Sequence, residues 1–265
     1  MTAWLEERVR LGKSDLRVGR LGLGASYFAP AESLEEAFEA GCNYFYWGAL
    51  RNGGMTKAIK NICGRGKRDK LVITIQDFRR TPKGLEKSLM RGLKKAKLDY
   101  ADVLLLGWVK KLPKPALLDA AEDLKKQGLV RCLGASGHNR PLFPTLAKDP
   151  RFDVFHVRYS AAHRGGEMDL FPHLPENRPG IVSFTATRRM SLVKSRRIPE
   201  KEKRPTAGDC YRFALSHPSV DVVITAPSKI MQMRENLAEV SKGPMTDEEK
   251  AWMRRIGDYV HGRKL

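Results

Sequence analysis

The side chains best suited to chemistry in this sequence are a phenol, a guanidinium and a serine–lysine pair. Tyr46 lies in a strand-like apolar run, and Arg51 follows five residues later. A cation beside a phenol lowers its pKa, so Arg51 could make Tyr46 a usable proton donor if the two side chains meet. Ser228 and Lys229 directly precede a helical pattern. A hydroxyl, an ammonium and the free N–H groups of a helix start together suit an anion.

The elements that must position these residues alternate regularly along the chain. Short apolar runs predict strands, and amphipathic stretches between them predict helices, a rhythm typical of βα units around a parallel sheet. The predicted strands are 16–25, 42–48, 71–76, 102–108, 129–136, 152–160, 180–187 and 221–226. The predicted helices are 33–41, 53–63, 81–98, 115–128, 140–148, 209–217, 230–240 and 246–260.

Eight such units in 265 residues predict one domain over 1–265, a closed (β/α)8 TIM barrel of the α/β class with a C-terminal helix. The segment 161–179 is predicted to be irregular apart from a short helical turn. The stretch 194–208 is predicted to be a loop after the seventh strand. In this fold the working site lies at the C-terminal ends of the strands, so the loops there are the ones to examine.

The composition is that of a globular protein with a strong positive charge. Lys and Arg number 49 against 30 Asp and Glu, a formal net charge of +19. Such a field attracts anionic ligands and partners. The basic residues are dispersed rather than gathered in a tail, which argues against nucleic acid. No long apolar segment indicates a signal sequence or membrane span, and no C-x-x-C pair indicates a metal or redox site, so a cytoplasmic location is expected.

Several segments resemble the aldo-keto reductase superfamily, in order along residues 10–240. GCNYFYWG (41–48) is similar to that family's G-x-N-x-F-D-T-A strand, and LDYADVLLLGW (98–108) to L-x-x-D-Y-x-D-L-x-x-x-H. GLVRCLGASGHN (128–139) resembles G-x-I-R-x-I-G-V-S-N-F-N, and ITAPSKIMQMREN (224–236) resembles I-P-G-A-S-K-x-E-Q-L-E-E-N. LGKSDLRVGRLGLG (11–24) resembles the opening hairpin and first strand, so the resemblance implies a barrel with an N-terminal hairpin.

The resemblance implies hydride transfer from NADPH to an aldehyde or ketone, but all four catalytic positions have changed. In the family a Tyr donates the proton, a Lys and an Asp lower its pKa, and a His orients the carbonyl. The family Asp falls on Tyr46, the Tyr on Arg51, the Lys on Gln76 and the His on Gly107. Ordinary carbonyl reduction is therefore expected to be impaired.

The residues that the resemblance assigns to the cofactor are better kept. Phe184 falls where an aromatic ring stacks on nicotinamide, and Thr185 follows it. Ser136 keeps a family serine, while His156 replaces a Gln that binds the nicotinamide amide. Arg188 belongs to a basic loop suited to a pyrophosphate. Ser228 and Lys229 match the pair that holds the 2′-phosphate of NADP, with Gln232, Glu235 and Asn236 around the adenine. NADP(H) is the expected cofactor.

Three functions remain open on the sequence. The first is an NADP(H)-dependent oxidoreductase with an unknown small-molecule substrate, which has moved its proton donor, for instance to Tyr46. A phenol there could equally fill the upper layer of the barrel. The second is a non-catalytic NADP(H)-binding or sensing pseudoenzyme. The third is a basic scaffold for an acidic partner. Trp47 and Trp108 are expected beside the mouth of the barrel, as are His138, His156, Arg158, Tyr159 and His163.

Overall fold

A closed barrel of eight parallel strands forms the centre of the protein. The computed structural model describes residues 4–25, 28–48 and 52–262. Within them the barrel strands follow the order β10-β3-β4-β5-β6-β7-β8-β9 and close on β10. They are β3 (Leu21–Gly24), β4 (Tyr44–Trp47), β5 (Val72–Asp77), β6 (Ala101–Leu106), β7 (Val130–Gly137), β8 (Phe152–Arg158), β9 (Gly180–Phe184) and β10 (Val222–Thr225). The predicted TIM barrel is therefore confirmed.

Helices surround the barrel and connect its strands. The described helices are α1 (Ala31–Glu39), α2 (Gly53–Gly64), α3 (Pro82–Ala96), α4 (Pro115–Lys126), α5 (Phe143–Leu146), α6 (Gly166–Asp169), α7 (Ser191–Lys194), α8 (Ala207–Leu215), α9 (Ile230–Val240) and α10 (Asp247–His261). The C-terminal helix α10 begins with a capping box, in which Thr246 and Glu249 satisfy each other's backbone N–H groups. None of the described helices combines the length and hydrophobicity that crossing a membrane requires.

An antiparallel hairpin covers the N-terminal end of the barrel. It consists of β1 (Arg8–Arg10) and β2 (Arg17–Gly19). Leu11, Leu16 and Val18 are buried in one cluster with apolar side chains from seven barrel strands. The barrel is consequently a filled core at this end, and only its opposite end is available for a site.

Two predicted elements differ from the structure. The predicted strand 16–25 is two strands in different sheets, since β2 pairs with β1 whereas β3 enters the barrel after Arg20. The predicted helix 140–148 is a 3-10 turn, Arg140–Leu142, followed by the single turn α5. Pro144 lacks the N–H group that a regular helix over 140–148 would bond to the carbonyl of Arg140, and its ring would clash with that carbonyl. The irregular segment 161–179 contains short turns of helix, as predicted.

Candidate functional site

The C-terminal ends of the barrel strands carry the features of a functional face. Among the described residues, seven other than glycine have a positive φ. Lys97 ends helix α3, and the other six lie in loops that follow β3, β6 and β9. Such strained conformations cluster at binding and catalytic sites. The six residues are Phe28, Trp108, Thr185, Arg188, Arg189 and Met190.

A chain of hydrogen-bonded polar side chains crosses the interior of the barrel at this end. The Tyr46 hydroxyl donates to Oε1 of Gln76. Nε2 of Gln76 donates to the Ser136 hydroxyl oxygen at 3.0 Å, and the backbone N–H of Trp108 lies 3.4 Å from the same oxygen. Tyr46, Gln76 and Ser136 belong to three different strands, so the structure brings these predicted site residues together.

His156 lies beside this chain and is deeply buried. Its Nε2 is 2.7 Å from the hydroxyl of Tyr44, and its ring centroid is 5.3 Å from that of Tyr46. Burial lowers the pKa of His156 to about 3. The imidazole is therefore neutral near pH 7, able to donate from one nitrogen and accept at the other. Since Nε2 is engaged by Tyr44, Nδ1 is the ring nitrogen that a ligand would have to use.

Tyr46 faces the interior as expected, but it is not activated as a proton donor. Burial raises its pKa to about 12. An acid useful near neutral pH needs a shift in the opposite direction. Arg51, the cation expected to lower this pKa, lies outside the described residues. Gln76, at the position of the family Lys, is neutral and cannot supply the missing charge.

The fourth changed position, Gly107, is filled by an aromatic neighbour. A Cβ atom on Gly107 would lie 2.6 and 2.7 Å from two ring carbons of Phe78, and 2.8 Å from Nε2 of Gln76. The Phe78 ring contacts Trp108 with a centroid distance of 5.1 Å. Arg80 donates to the carbonyl oxygen of Gly107. Any side chain at this position would therefore require Phe78 and the Gln76 amide to move.

The end of β9 and the loop after it contain three of the residues expected to hold a dinucleotide. Phe184 ends β9, and its ring contacts His138 edge-on at 5.5 Å. Thr185 and Arg188 have φ of 61° and 49°. The Arg188 guanidinium donates to the carbonyl of Val260 near the end of α10, so this side chain fixes the loop against the C-terminal helix.

The start of α9 presents the predicted serine–lysine pair to solvent. Lys229 is the residue at the helix N-cap, and both Ser228 and Lys229 are exposed. The backbone N–H of Ser228 is 3.3 Å from Oε1 of Gln232. Asn236 is buried instead, and its Nδ2 donates to Thr225 of β10 at 3.1 Å. Strands β9 and β10 are neighbours, so this pair and Phe184 follow adjacent strands.

Two expected mouth residues are elsewhere. Tyr159 is 1% exposed, and its hydroxyl donates to Glu167 of α6 at 2.6 Å. Trp47 is 6% exposed and lies against the outer helices, where its Nε1 donates to Thr56 at 2.9 Å and Lys95 lies over its ring. Adjacent strand residues point to opposite faces, so with Tyr46 facing inward, Trp47 must face outward. Trp108 does lie at the mouth and is 62% exposed.

Sequence reasoning missed Phe78. Its two-residue spacing from Gln76 on an inward-facing strand end was the available signal.

The chain belongs to the aldo/keto reductase family, whose model matches residues 20–258. It is 23% identical over 286 residues to the uncharacterized oxidoreductase YqkF of Bacillus subtilis (strain 168), covering 91% of this chain and 93% of that protein. Solved structures of the aldo-keto reductase AKR11C1 from Bacillus halodurans, in apo and holo forms, superpose with a TM-score of 0.79 for each. They are 23% and 22% identical and cover 95% of this chain and 96% of theirs.

A further similar structure is that of the thermostable aldo-keto reductase Tm1743 in complex with the inhibitor epalrestat. It has a TM-score of 0.74 and 22% identity, with 94% of this chain and 99% of that chain covered. These likenesses extend over the whole described barrel and establish the oxidoreductase fold of the family.

Proposed function

We propose that this protein binds NADP(H) across the C-terminal ends of β9 and β10 and acts as an oxidoreductase with a non-standard site. The observation that carries the proposal is the exposed start of α9. There Ser228 and Lys229, which carry a hydroxyl and an ammonium group, are exposed directly before the helix, and the N-cap makes no side-chain hydrogen bond. Among the described residues no carboxylate pairs with Lys229. This donor set fits a phosphate group.

The other polar groups fit the remainder of a dinucleotide. The aromatic ring of Phe184 provides a surface on which a planar heterocycle would stack. Phe184 ends β9, which is the neighbour of the strand that precedes Lys229. Neutral His156 and Ser136 are paired in register on β8 and β7, where they would orient an amide. A bound nicotinamide cofactor supplies or accepts a hydride. The protein's own contribution is to bind it, to orient it and to exclude water around the reacting carbon.

Ordinary carbonyl reduction should be slow in this site. A positioned proton donor is worth roughly 10²–10⁴ in rate, and the raised pKa of Tyr46 removes most of that advantage. The Tyr46 hydroxyl is also committed to Gln76, and Phe78 occupies the space beside Gly107. A reaction that needs no strong acid at this position fits the site better than reduction of a simple aldehyde.

A second candidate is a non-catalytic NADP(H)-binding protein. The observation that favours it is the same hydrogen-bonded chain, in which Tyr46, Gln76 and Ser136 satisfy one another. Such a protein would bind the nucleotide without turning over a substrate. A basic scaffold for an acidic partner would show no dinucleotide binding at all.

The test is a titration of the purified protein with NADPH and, separately, with NADH. Exposed Trp108 should report binding through its fluorescence, and a Trp108→Phe variant should remove that signal while calorimetry still detects binding. Saturable binding that prefers NADPH supports the proposal. If neither nucleotide binds at millimolar concentration, both dinucleotide functions are wrong. Turnover of NADPH with a panel of carbonyl compounds then separates the enzyme from the non-catalytic protein.

A further inference from the structure

Arg158 is an inward-facing cation at the mouth of the barrel that the proposed function does not use. It is the last residue of β8 and lies two positions after His156, on the same face of the strand. In register it is opposite Phe184 of β9. Its Nε is buried and has no hydrogen-bond partner in the described structure. A buried polar group without a partner is costly, and a charged one more so.

The acidic side chains of the neighbouring segments are engaged elsewhere. Asp169 makes a bidentate pair with Arg140 at 2.8–3.2 Å. Glu167 accepts from Arg254 and from Tyr159. Asp169 and Glu167 thus form their ion pairs with arginines other than Arg158. Within the part of the chain that the structure describes, no carboxylate lies within 4.0 Å of the Arg158 guanidinium.

The groups that do surround Arg158 increase the positive charge. Burial, Arg140 and Arg188 lower the pKa of Arg158. Burial and Arg158 in turn lower the pKa of His138, and that of His163 to about 4. Asp169 balances the charge of Arg140, whereas Arg188 is held by the neutral carbonyl of Val260, so among the described residues neither Arg158 nor Arg188 has a carboxylate partner. These surroundings are positively charged and therefore suit an anionic ligand.

We propose that Arg158 binds the carboxylate or phosphate group of an anionic substrate, which makes anionic carbonyl compounds and their alcohols the substrate class of this protein. This inference rests on the proposed function for the identity of the reaction. The 2′-phosphate of the cofactor is a less suitable ligand for Arg158. Its matching groups, Ser228 and Lys229, follow β10, and β9 separates that strand from β8.

The neighbourhood also indicates what the rest of the substrate is like. Phe78 and Trp108, 38% and 62% exposed, contribute apolar surface to the same end of the barrel. Aromatic aldehydes with and without an anionic group are therefore suitable probes. The three probes are 4-formylbenzoate, its neutral methyl ester and 4-formylphenyl phosphate, which separate a carboxylate from a phosphate and both from a neutral ring.

The experiment measures binding without requiring turnover. Each probe is titrated into the protein, with and without saturating NADP⁺, by calorimetry and by the NMR signals of the His138 and His163 rings. The variants are Arg158→Gln, Arg158→Lys and the control Arg91→Gln, which removes the same charge from an exposed position on α3. Thermal melting establishes that each variant is folded.

The expected result is that the wild-type protein and Arg91→Gln bind an anionic probe at least about tenfold more tightly than the ester, as a charge-assisted hydrogen bond requires. Arg158→Gln should lose that difference, and Arg158→Lys should regain part of it. Equal binding of acid and ester by the wild-type protein would overturn the proposal. So would an Arg158→Gln variant that loses NADPH affinity but keeps the preference for an anionic probe. If the protein binds the anionic probes through Arg158 but does not bind NADPH, the anion site is supported and the proposed function is refuted.

Discussion

Restoring a histidine at position 107 should destabilise the protein, and removing the Phe78 ring should relieve much of that cost. Any Cβ at Gly107 meets Phe78 at 2.6–2.7 Å, closer than the 3.0 Å that real Cβ contacts respect. Phe78 must therefore swing away, which gives up its contact with Trp108, worth about 0.5–1.5 kcal/mol. Overpacking in such sites costs about 1–3 kcal/mol in total. We expect Gly107→His to cost about 2 kcal/mol.

The assay is a double-mutant cycle on the free energy of unfolding, measured with urea. Phe78→Ala alone should cost about 1 kcal/mol, because the ring is 38% exposed and loses mainly its contact with Trp108. In the Phe78→Ala background, Gly107→His should cost about 1–2 kcal/mol less than in the wild type. Costs that add within about 0.5 kcal/mol would mean that Phe78 does not occupy the histidine position.

Two further predictions concern the buried chain and its neighbouring histidine. Tyr46→Phe should leave Oε1 of Gln76 buried without its donor and lower the free energy of unfolding, measured with urea, by about 1–3 kcal/mol. An unchanged free energy of unfolding would mean that the hydrogen bond between Tyr46 and Gln76 does not form in solution. Because the pKa of His156 is lowered, its ring binds a proton between about pH 6.5 and pH 3 in the unfolded chain but not in the folded protein. The contribution of His156 to the free energy of unfolding is therefore full above pH 6.5 and falls as the pH drops below that value. The loss at pH 5 should be about 2 kcal/mol, and a His156→Gln variant should lose correspondingly less on acidification; identical pH profiles for the two proteins would contradict this pKa.

The fold was largely predictable because the barrel strands are buried on both faces. A strand such as β6, with the sequence ADVLLL, has no solvent-facing side, so its sequence is almost continuously apolar. Eight such strands alternate along the chain with amphipathic helices, which is the pattern of a (β/α)8 barrel. The prediction was wrong where local sequence does not determine the partner. Arg20 alone separates β2 from β3 along the chain, and the two strands are distinguished by the sheet that each one joins. Between 140 and 148, the amphipathic pattern predicted a regular helix, but Pro144 prevents its hydrogen bonding from continuing, and only short turns form.

The site was predictable only in its positions along the chain. Tyr46, Gln76 and Ser136 were each placed at strand ends, but their mutual hydrogen bonds depend on a register between strands that no single sequence reveals. The outward direction of Trp47 followed from the two-residue alternation of a strand and was overlooked. The missing carboxylate at Arg158 is a property of three-dimensional neighbours, since Asp169 and Glu167 lie close in sequence yet pair with other arginines.

The most direct test of the central claim is the ratio of the dissociation constants for NADH and NADPH, compared between the wild-type protein and Lys229→Gln. Lys94→Gln serves as the control, since it removes a lysine from the last turn of α3 at the opposite end of the barrel. We predict that the wild-type protein and the control prefer NADPH, and that Lys229→Gln loses roughly tenfold of that preference with little change in its affinity for NADH. An NADPH preference that survives the loss of Lys229, or no preference in the wild type, would contradict the account.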